Sequence, residues 1–430
     1  MTDLGRTSLG LVACLLAGLV AAGDEVYLKV TAPGLQRLVI AVPQMPIAAG
    51  VDSTAAASFT TALRDDLNMT AVLGLLPDDN ARLVEIDTRN PVLTRQRWRA
   101  VGAQFILAGS LIAAGNQLTV DVKLIDLTSG EVALARRLQA ANPLAATMAH
   151  TLANELVRVF TGRPGPFLSR IAFISDRTGN KEVWIMRWDG GEPQQLTSHR
   201  SIASAPAWST DGAWLAFTSF LHTAPELLVL KPSQGYLKTL STLPGVNSSS
   251  NFSPDGRWVA FAAAAGGATE IWVVPVASGA PERRTNLNAI STQPAWSPNG
   301  RQIVFTSTAA GSPQLYVMDA EGTNLRRLTL DDEFADEATW APDGVRLAYT
   351  TKVDGRFQIA ILDLRDGRRS IVGGPGSNES PCFSPDGTML AFSSNRTGRR
   401  QIFITDPLGQ PRQITRDGAN QQPSWVAQMQ

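Results

Sequence analysis

The chain has 430 residues, of which 38 are Lys or Arg and 38 are Asp or Glu, so its formal net charge is zero. A nucleic-acid-binding protein normally has a basic excess or basic runs, and the charge balance argues against that class. A hydrophobic fraction of 44% with a charged fraction of 18% is typical of a globular protein. The chain has only the cysteines Cys14 and Cys382, which excludes a disulfide scaffold and a thiolate zinc site.

The first 23 residues have the pattern of an export signal. Arg6 precedes an apolar run from Leu9 to Ala22, and charge returns at Asp24. The run is shorter than the roughly 20 residues that a membrane-spanning helix needs. We therefore predict a cleaved signal peptide over residues 1–23.

Residues 24–162 are expected to form an α/β domain in which two helices pack on a mixed sheet. Strands are predicted at Val26–Val30, Leu38–Val42, Gln104–Leu111, Gln117–Ile125 and Glu131–Leu138. The first helix is predicted to run from a capping Ser53 to about Met69. The second is predicted to open at Asn142-Pro143 and to end before Gly162. Residues 163–169, with Pro164-Gly165-Pro166, are predicted to be a short stiff linker.

Residues 170–430 contain a repeat of about 44 residues, which predicts an all-β domain. An aromatic residue, followed in all but the last unit by a turn that resembles Ser-Pro-Asp-Gly, recurs at Trp208, Phe252, Trp296, Trp340, Phe383 and Trp425. A period of 40–50 residues with several short strands per unit indicates a β-propeller. The first unit lacks an aromatic strand and the last unit has nothing after it. We therefore expect six blades, with the strand of Trp425 completing the first.

The sequence contains no motif for nucleophilic or phosphate chemistry. A G-x-S-x-G elbow, a P-loop and a G-x-G-x-x-G turn after a strand are all missing from it. Cys382 stands beside Phe383 in a predicted strand, which favours a small buried residue over a nucleophile. We therefore predict a protein that is not an enzyme, with no catalytic residue, cofactor or metal.

The loop before each aromatic strand varies while the strands stay regular, and such loops are where recognition is usually built. Since the first strand of a blade lies nearest the propeller axis, we expect these residues at one mouth of the channel. The predicted partner-binding residues there are His199, Arg200, Ser204, Asn247, Ser248, Thr292, Gln293, Asp336, Glu337, Asn378, Glu379, Asn420 and Gln421. A polar funnel of mixed charge favours a protein or peptide partner.

Several stretches together resemble one family. They are Glu25–Val30 after the signal, Val101–Gly109, Leu124–Gly130, the helix from His150 to Gly162, and the six P-x-W-S-P-D-G-like units. The whole mature chain resembles the TolB family, periplasmic proteins of the Tol–Pal envelope system. The propeller repeat occurs in many bacterial proteins, and its combination with this N-terminal domain is much more specific.

The resemblance implies a periplasmic adaptor that supports outer-membrane integrity and invagination during cell division. The family binds the lipoprotein Pal through one mouth of its propeller, and it engages TolA through its mature N-terminal segment. Here that segment consists of Asp24, Glu25, Val26, Tyr27, Leu28, Lys29 and Val30. Its alternating apolar residues suit addition to a sheet edge. Any effect of Pal on TolA affinity requires the reciprocal effect of TolA on Pal affinity.

The resemblance also implies a monomer that reaches the outer membrane only through Pal, and a mouth open to other envelope proteins or hijacking toxins. The main alternative is an exported propeller that binds another peptide or a glycan. A glycan would favour an aromatic platform, and Phe334 is the one aromatic residue in these loops. A glycosidase would need paired carboxylates about 5–10 Å apart, for which Asp336, Glu337 and Glu379 are the candidates.

Overall fold

The computed structural model describes residues 37–428 except 71, 83, 85–89, 223 and 406–409. The predicted signal peptide, the predicted strand Val26–Val30 and the predicted TolA-binding segment lie outside these residues. Within the described ranges, no helix is both long and apolar enough to cross a membrane.

The N-terminal domain is a five-stranded mixed sheet with its helices. In chain order its elements are β1 Leu38–Ala41, α1 Ser53–Asn68, β2 Leu73–Leu75, α2 Asp78–Arg82, α3 Pro91–Ala100, β3 Phe105–Ala114, β4 Gln117–Asp126, β5 Val132–Ala141 and α4 Ala145–Thr161. The strand order is β2-β1-β3-β4-β5. The first three strands are parallel neighbours, and β3, β4 and β5 form antiparallel pairs.

Three details of this domain differ from the sequence-based expectation. The first long helix is capped by Asp52, whose Oδ1 accepts the N–H of Ala55 at 2.7 Å, and not by Ser53. A short 3-10 turn, Asn142–Leu144, precedes α4, which ends at left-handed Gly162 as expected. Helices α2 and α3 were not predicted, because the polar sequence of α3 has one buried anchor, Trp98, where a helix normally shows an apolar stripe.

The propeller has six four-stranded antiparallel blades, as the repeat predicts. Its first eleven strands are β6 Arg170–Ser175, β7 Glu182–Arg187, β8 Gln194–Gln195, β9 Ala203–Trp208, β10 Leu215–Ser219, β11 Glu226–Lys231, β12 Tyr236–Ser241, β13 Asn247–Phe252, β14 Trp258–Ala263, β15 Glu270–Pro275 and β16 Glu282–Arg283. The others are β17 Ser291–Trp296, β18 Gln302–Ser307, β19 Gln314–Asp319, β20 Arg326–Arg327, β21 Ala335–Trp340, β22 Arg346–Val353, β23 Arg356–Asp363, β24 Arg369–Val372, β25 Asn378–Phe383, β26 Leu390–Ser394, β27 Gln401–Thr405, β28 Pro411–Gln413 and β29 Asn420–Val426. A second 3-10 turn, Pro232–Gln234, lies between β11 and β12.

The ring closes where the sequence predicts. Strand β29 pairs with β6, so blade 1 is built from β29, β6, β7 and β8, and blades 2 to 6 follow in chain order. The backbone N–H of Trp425 donates to Cys382 Sγ of blade 6 at 3.2 Å, and its indole Nε1 donates to Ser169 Oγ at 2.6 Å. The closing strand β29 is therefore hydrogen-bonded both to blade 6 and to the segment that leads into β6.

In blades 2 to 6, the turn after the inner strand is stabilised by its own side chains. In blade 3, Ser253 Oγ donates to Asp255 Oδ1 and accepts the N–H of Trp258, and Gly256 takes the positive φ that this tight turn requires. Equivalent bonds join Ser209 to Asp211, Ser297 to Asn299 and Ser384 to Asp386. Blade 5 has Ala341 in place of the serine, and there Arg346 pairs with Asp343 at 2.6 Å.

The two domains share one hydrophobic core. Helices α1 and α4 contribute Phe59, Leu63 and Leu152, and the propeller contributes Trp188 and Trp425. Phe167, inside the predicted linker, is fully buried and packs edge-on against Trp188. The N-terminal domain therefore covers the propeller face where the inner strands end, and the face where they begin points away from it.

A candidate partner-binding mouth on the propeller

The inner strands β29, β9, β13, β17, β21 and β25 each form one edge of their sheet and contact one another in sequence around the ring. We define the mouth as the face where these strands begin, together with the loops that lead into them. The mouth contains every predicted partner-binding residue of the propeller. It lies opposite the N-terminal domain.

A bulge recurs at the start of all six inner strands. The register with the second strand shifts at the same place in each blade, as between Ser204 and Ala207 in blade 2. The third residue of each inner strand has φ between 50° and 56°, namely Ala205, Ser249, Gln293, Glu337, Ser380 and Gln422. Such non-glycine conformations persist only where surrounding contacts hold them. The bulges therefore form a repeated, rigid ring at the mouth.

The first residue of each inner strand is buried, which revises part of the predicted site. Asn247, Asn378 and Asn420 have 0% exposure. The amide nitrogen of Asn247 donates to the carbonyls of Pro225 and Leu243. Because these three amides are buried and hydrogen-bonded within the propeller, we assign them a role in supporting the loops and do not include them among the surface residues of the mouth.

The loops at the mouth are anchored from below by buried Glu or Gln residues near the start of the third strands. These residues are Glu182, Glu270, Gln314, Gln358 and Gln401. Glu270 Oε1 accepts the N–H groups of Leu287 and Asn288 at 2.7 and 2.9 Å, and its Oε2 accepts the hydroxyl of Thr285. Gln401 donates to the carbonyl of Gly418 at 2.8 Å and accepts from Asn420. The mouth is thus pre-organised. These anchors could not be predicted from the polar residues of the loops, because they lie inside strands.

The other predicted residues lie at the mouth surface. Ser204, Ser248, Thr292, Asp336, Glu379 and Gln421 are half-buried second residues of the inner strands, and Gln293 follows Thr292. His199 Nδ1 lies 3.3 Å from Ser219 Oγ, and Arg200 is exposed with φ 55° while its N–H donates to Glu182. Whether these side chains contact a partner stays a prediction.

Three carboxylates make one side of the mouth acidic. Glu337 Oε2 accepts the N–H of Ser380 in the next blade at 2.7 Å, and Oε1 accepts its hydroxyl at 2.9 Å. Burial, with the nearby charge of Asp336, raises the pKa of Glu337. Glu379 pairs with Arg400 at 2.7 Å. Burial, reinforced by Glu379, raises the pKa of Asp336.

In the described part of the chain, Asp336 and Glu337 both lack a cationic partner, unlike Glu379, but both oxygens of Glu337 are already bonded to Ser380. Among the residues that the structure describes, no lysine or arginine lies within ion-pair distance of Asp336. Over the same residues, no group of three His, Cys, Asp or Glu side chains is placed to hold a metal ion. The acidic side of the mouth therefore has one carboxylate free to meet a positive group.

Cys382 is placed as a structural residue. Burial raises the pKa of its thiol to about 11, and its Sγ accepts the N–H of Trp425. A thiol that stays protonated near neutral pH is a poor nucleophile. Cys382 is half-buried and packs against the shared core, so it is less buried than the sequence predicts but still has a packing role.

Comparison with known proteins identifies the family of both domains. The model described as "TolB beta propeller domain" matches residues 157–429, and the "TolB amino-terminal domain" matches residues 26–133. The chain is 34% identical over 232 residues to the Tol-Pal system protein TolB of Desulfosudis oleivorans, covering 51% of each. It is 29% identical over 217 residues to a TolB homolog of Chlorobium chlorochromatii, covering 50% of this chain and 49% of that protein. The chain thus spans about half the length of the curated relatives it matches.

Solved structures agree with this result. The crystal structure of TolB from Acinetobacter baumannii superimposes with a TM-score of 0.78 at 25% identity, covering 91% of this chain and 96% of that one. Since the propeller model matches more than half of the sequence and the two-domain architecture is that of a solved TolB, the chain belongs to the TolB family.

Proposed function

We propose that the protein is a non-enzymatic periplasmic adaptor of the Tol–Pal system. In this proposal the mouth binds the lipoprotein Pal, and residues 24–30 bind TolA. The adaptor would thereby support outer-membrane integrity and invagination during division. The chain's TolB family membership supports the assignment to the Tol–Pal system.

One structural observation favours the mouth as the partner site. It is a ring of six bulged strand starts whose loops are fixed by buried anchors, and it faces away from the N-terminal domain. A surface that is rigid before binding loses little conformational freedom when a partner docks. The mouth is therefore accessible and pre-organised, as a protein-binding site requires.

The geometry of the mouth supports the two alternatives, a glycosidase and a glycan-binding protein, less well. A glycosidase needs two free carboxyl groups, whereas Glu337 accepts bonds from Ser380 with both oxygens and Glu379 is paired with Arg400. A glycan platform needs an exposed aromatic ring, whereas Phe334 is half-buried against Phe357, with ring centroids 5.3 Å apart. Neither chemistry fits the mouth as well as a protein partner does.

Titration calorimetry of the chain from Asp24 against the soluble domain of Pal from the same organism tests the first contact. The comparison variant combines Ser248→Ala, Thr292→Ala and Asp336→Ala. Asn247 is left unchanged because it is buried and supports the loop. We expect specific binding by the unaltered chain and weaker binding by the variant. No binding to Pal would overturn the proposed function, and equal binding would overturn the choice of surface.

A second titration tests the TolA contact. The chain from Asp24 and a chain that lacks residues 24–30 are compared for binding to the soluble C-terminal domain of TolA. We expect the deletion to abolish this binding while Pal is still bound. Equal TolA binding by both chains would contradict the assignment of the N-terminal segment.

A further inference from the structure

The mouth carries exposed apolar side chains on blades 2, 3 and 4, which adjoin its acidic side. Ile202, Val246 and Ile290 directly precede the inner strands β9, β13 and β17, and they are 48%, 43% and 58% exposed. Phe220 and Leu221, in the loop after β10, are also exposed. The N–H of Phe220 donates to the carbonyl of Ile202 at 2.9 Å, so the two residues are neighbours. We call these five residues the apolar arc.

The arc is a regular feature of the repeat. Its three strand-preceding members are 44 residues apart, and β9, β13 and β17 are consecutive inner strands of the ring. In blade 5 the equivalent residue is Phe334, half-buried against Phe357, and Leu330 in the same loop is 69% exposed. The equivalent residues of blades 6 and 1 are the small Ser377 and Ala419. The apolar side chains therefore cover one side of the mouth. Contiguous exposed apolar patches with a polar border mark interaction sites.

The charged side chains of the mouth are also distributed unevenly around the ring. The carboxylates of Asp336, Glu337 and Glu379 belong to blades 5 and 6, next to the end of the arc. The second strand residues of blades 2, 3 and 4 are the neutral Ser204, Ser248 and Thr292. Burial, together with repulsion from the charge of Glu379, raises the pKa of Asp336. A cation placed beside Asp336 would relieve this repulsion.

We infer that the mouth binds a convex protein element that presents an apolar row to the arc and a lysine or arginine to Asp336. The backbone scaffold repeats six times around its axis, so shape alone would accept several rotations of a partner. The apolar arc and the acidic side together allow only one rotational orientation of the partner. The arc supplies the buried area, and Asp336 sets the rotational orientation. This inference rests on the proposed function and deepens it, with Pal as the partner to be tested.

The first experiment measures Pal binding by calorimetry for Ile202→Ser, Val246→Ser, Ile290→Ser and the triple variant. Removing buried apolar contacts at the centre of an interface is costly, so we expect about 3- to 10-fold weaker binding for each and at least about 100-fold for the triple variant. The matched control is Leu325→Ser, since Leu325 is 39% exposed in blade 4 at the opposite end of the strands. The control should bind within about 2-fold of the unaltered protein. Thermal unfolding of each variant checks that the fold is intact.

The second experiment tests the orientation. Asp336→Asn should weaken binding and reduce its dependence on salt, because a charge pair is lost. The swap variant Thr292→Asp/Asp336→Thr keeps the net charge and moves the carboxylate one blade toward the arc. We expect the swap to bind at least about 10-fold more weakly than the unaltered protein, as a misplaced charge costs specificity.

Four results would overturn the inference. Unchanged binding by the triple variant would remove the arc from the interface. Unchanged or tighter binding by Asp336→Asn would remove the basic group, and unchanged binding by the swap would show that net charge alone matters. Self-association of the unaltered protein in sedimentation, lost in the triple variant, would assign the arc to a second copy. No Pal binding by the unaltered protein would overturn the proposed function, and with it the assignment of Pal to the arc.

Discussion

His150 Nδ1 lies 2.7 Å from Asp66 Oδ2, and the pair joins the two long helices of the N-terminal domain where they meet the propeller. Both side chains are buried. On the other side of the imidazole, Nε2 lies 3.9 Å from Asp189 Oδ2 of the propeller, and Asp189 is held by Arg187 at 2.8 Å. A buried pair of a carboxyl group and an imidazole therefore lies at the domain interface, and Asp66 is its acidic member.

This pair predicts a pH dependence of stability. Burial raises the pKa of Asp66 from 3.8 to about 7, against the opposing hydrogen bond from His150. Between these values the folded chain holds a proton that the unfolded chain has released, so the stabilisation is full below pH of about 4 and is lost as pH rises to about 7. Asp66→Asn removes this group, and we expect the difference in Tm between pH 5 and pH 7.5 to shrink by at least about 2 °C.

Differential scanning calorimetry of both proteins across that range checks the prediction. The control is Asp65→Asn, since Asp65 is half-buried on the same helix and lies 3.8 Å from Arg412. The charge of Asp65 is the smallest of the causes that raise the pKa of Asp66, so this control should keep most of the pH dependence of the unaltered protein. Parallel profiles for the unaltered protein and Asp66→Asn would show that Asp66 ionises in the folded chain as it does in the unfolded one.

Glu270 is predicted to be essential for the loop that leads into β17. Its replacement by Ala leaves the Thr285 hydroxyl and two loop N–H groups without acceptors in a buried site, and it leaves Arg283 without its ion pair. We expect a loss of about 3–5 kcal/mol in the free energy of unfolding. Urea denaturation measures this loss. Glu282→Ala, an exposed neighbour, should cost less than about 0.5 kcal/mol, and equal losses for both would contradict the anchoring role.

Glu337 is predicted to join blades 5 and 6 by hydrogen bonding rather than by charge. Gln422 makes the same contact between blades 1 and 2, where its Oε1 accepts the N–H of Ala205 at 3.0 Å. Glu337→Gln should therefore change the free energy of unfolding by less than about 1 kcal/mol, whereas Glu337→Ala should cost about 1–3 kcal/mol. The same loss in both variants, measured by urea denaturation, would show that the negative charge itself is required.

Cys382 is predicted to be unreactive in the native protein. The chain from Asp24 contains this single thiol, which is half-buried and whose pKa is raised to about 11. We expect no labelling by Ellman's reagent at pH 8 until the chain is unfolded in urea. Rapid labelling of the folded protein would show that the contact between Cys382 and Trp425 opens readily.

Periodicity predicted the propeller because a strand buried on both faces must repeat the same aromatic residue and the same turn. The recurrence of aromatic residues such as Trp208 and Trp296 therefore predicted the positions of the inner strands. The strand of Trp425, which has no following strands in its own unit, predicted how the ring closes. Helix α3 escaped prediction because Trp98 alone anchors a polar segment. A run of polar residues in the sequence indicates a loop, but it does not show which of those side chains are buried in the folded protein.

That limit explains why buried residues were included among the predicted contact residues of the mouth. Asn378 and Asn420 are polar loop residues in the sequence, yet in three dimensions they bond to Gln358 and Gln401 inside the blade. Conversely, Ile202, Val246 and Ile290 look like strand residues and are exposed. Their 44-residue spacing was visible in the sequence, but only the position of the bulge shows that they precede the buried strand start.

Hydrogen–deuterium exchange of the chain from Asp24, with and without the soluble Pal domain, tests the central claim most directly. The account predicts slower exchange on Pal addition in peptides that cover residues 199–205, 246–249, 290–293 and 334–337. Peptides that cover the turns at the opposite end of the inner strands, such as 253–258, should be unchanged. Protection confined to those turns or to the N-terminal domain would contradict the mouth as the partner-binding surface.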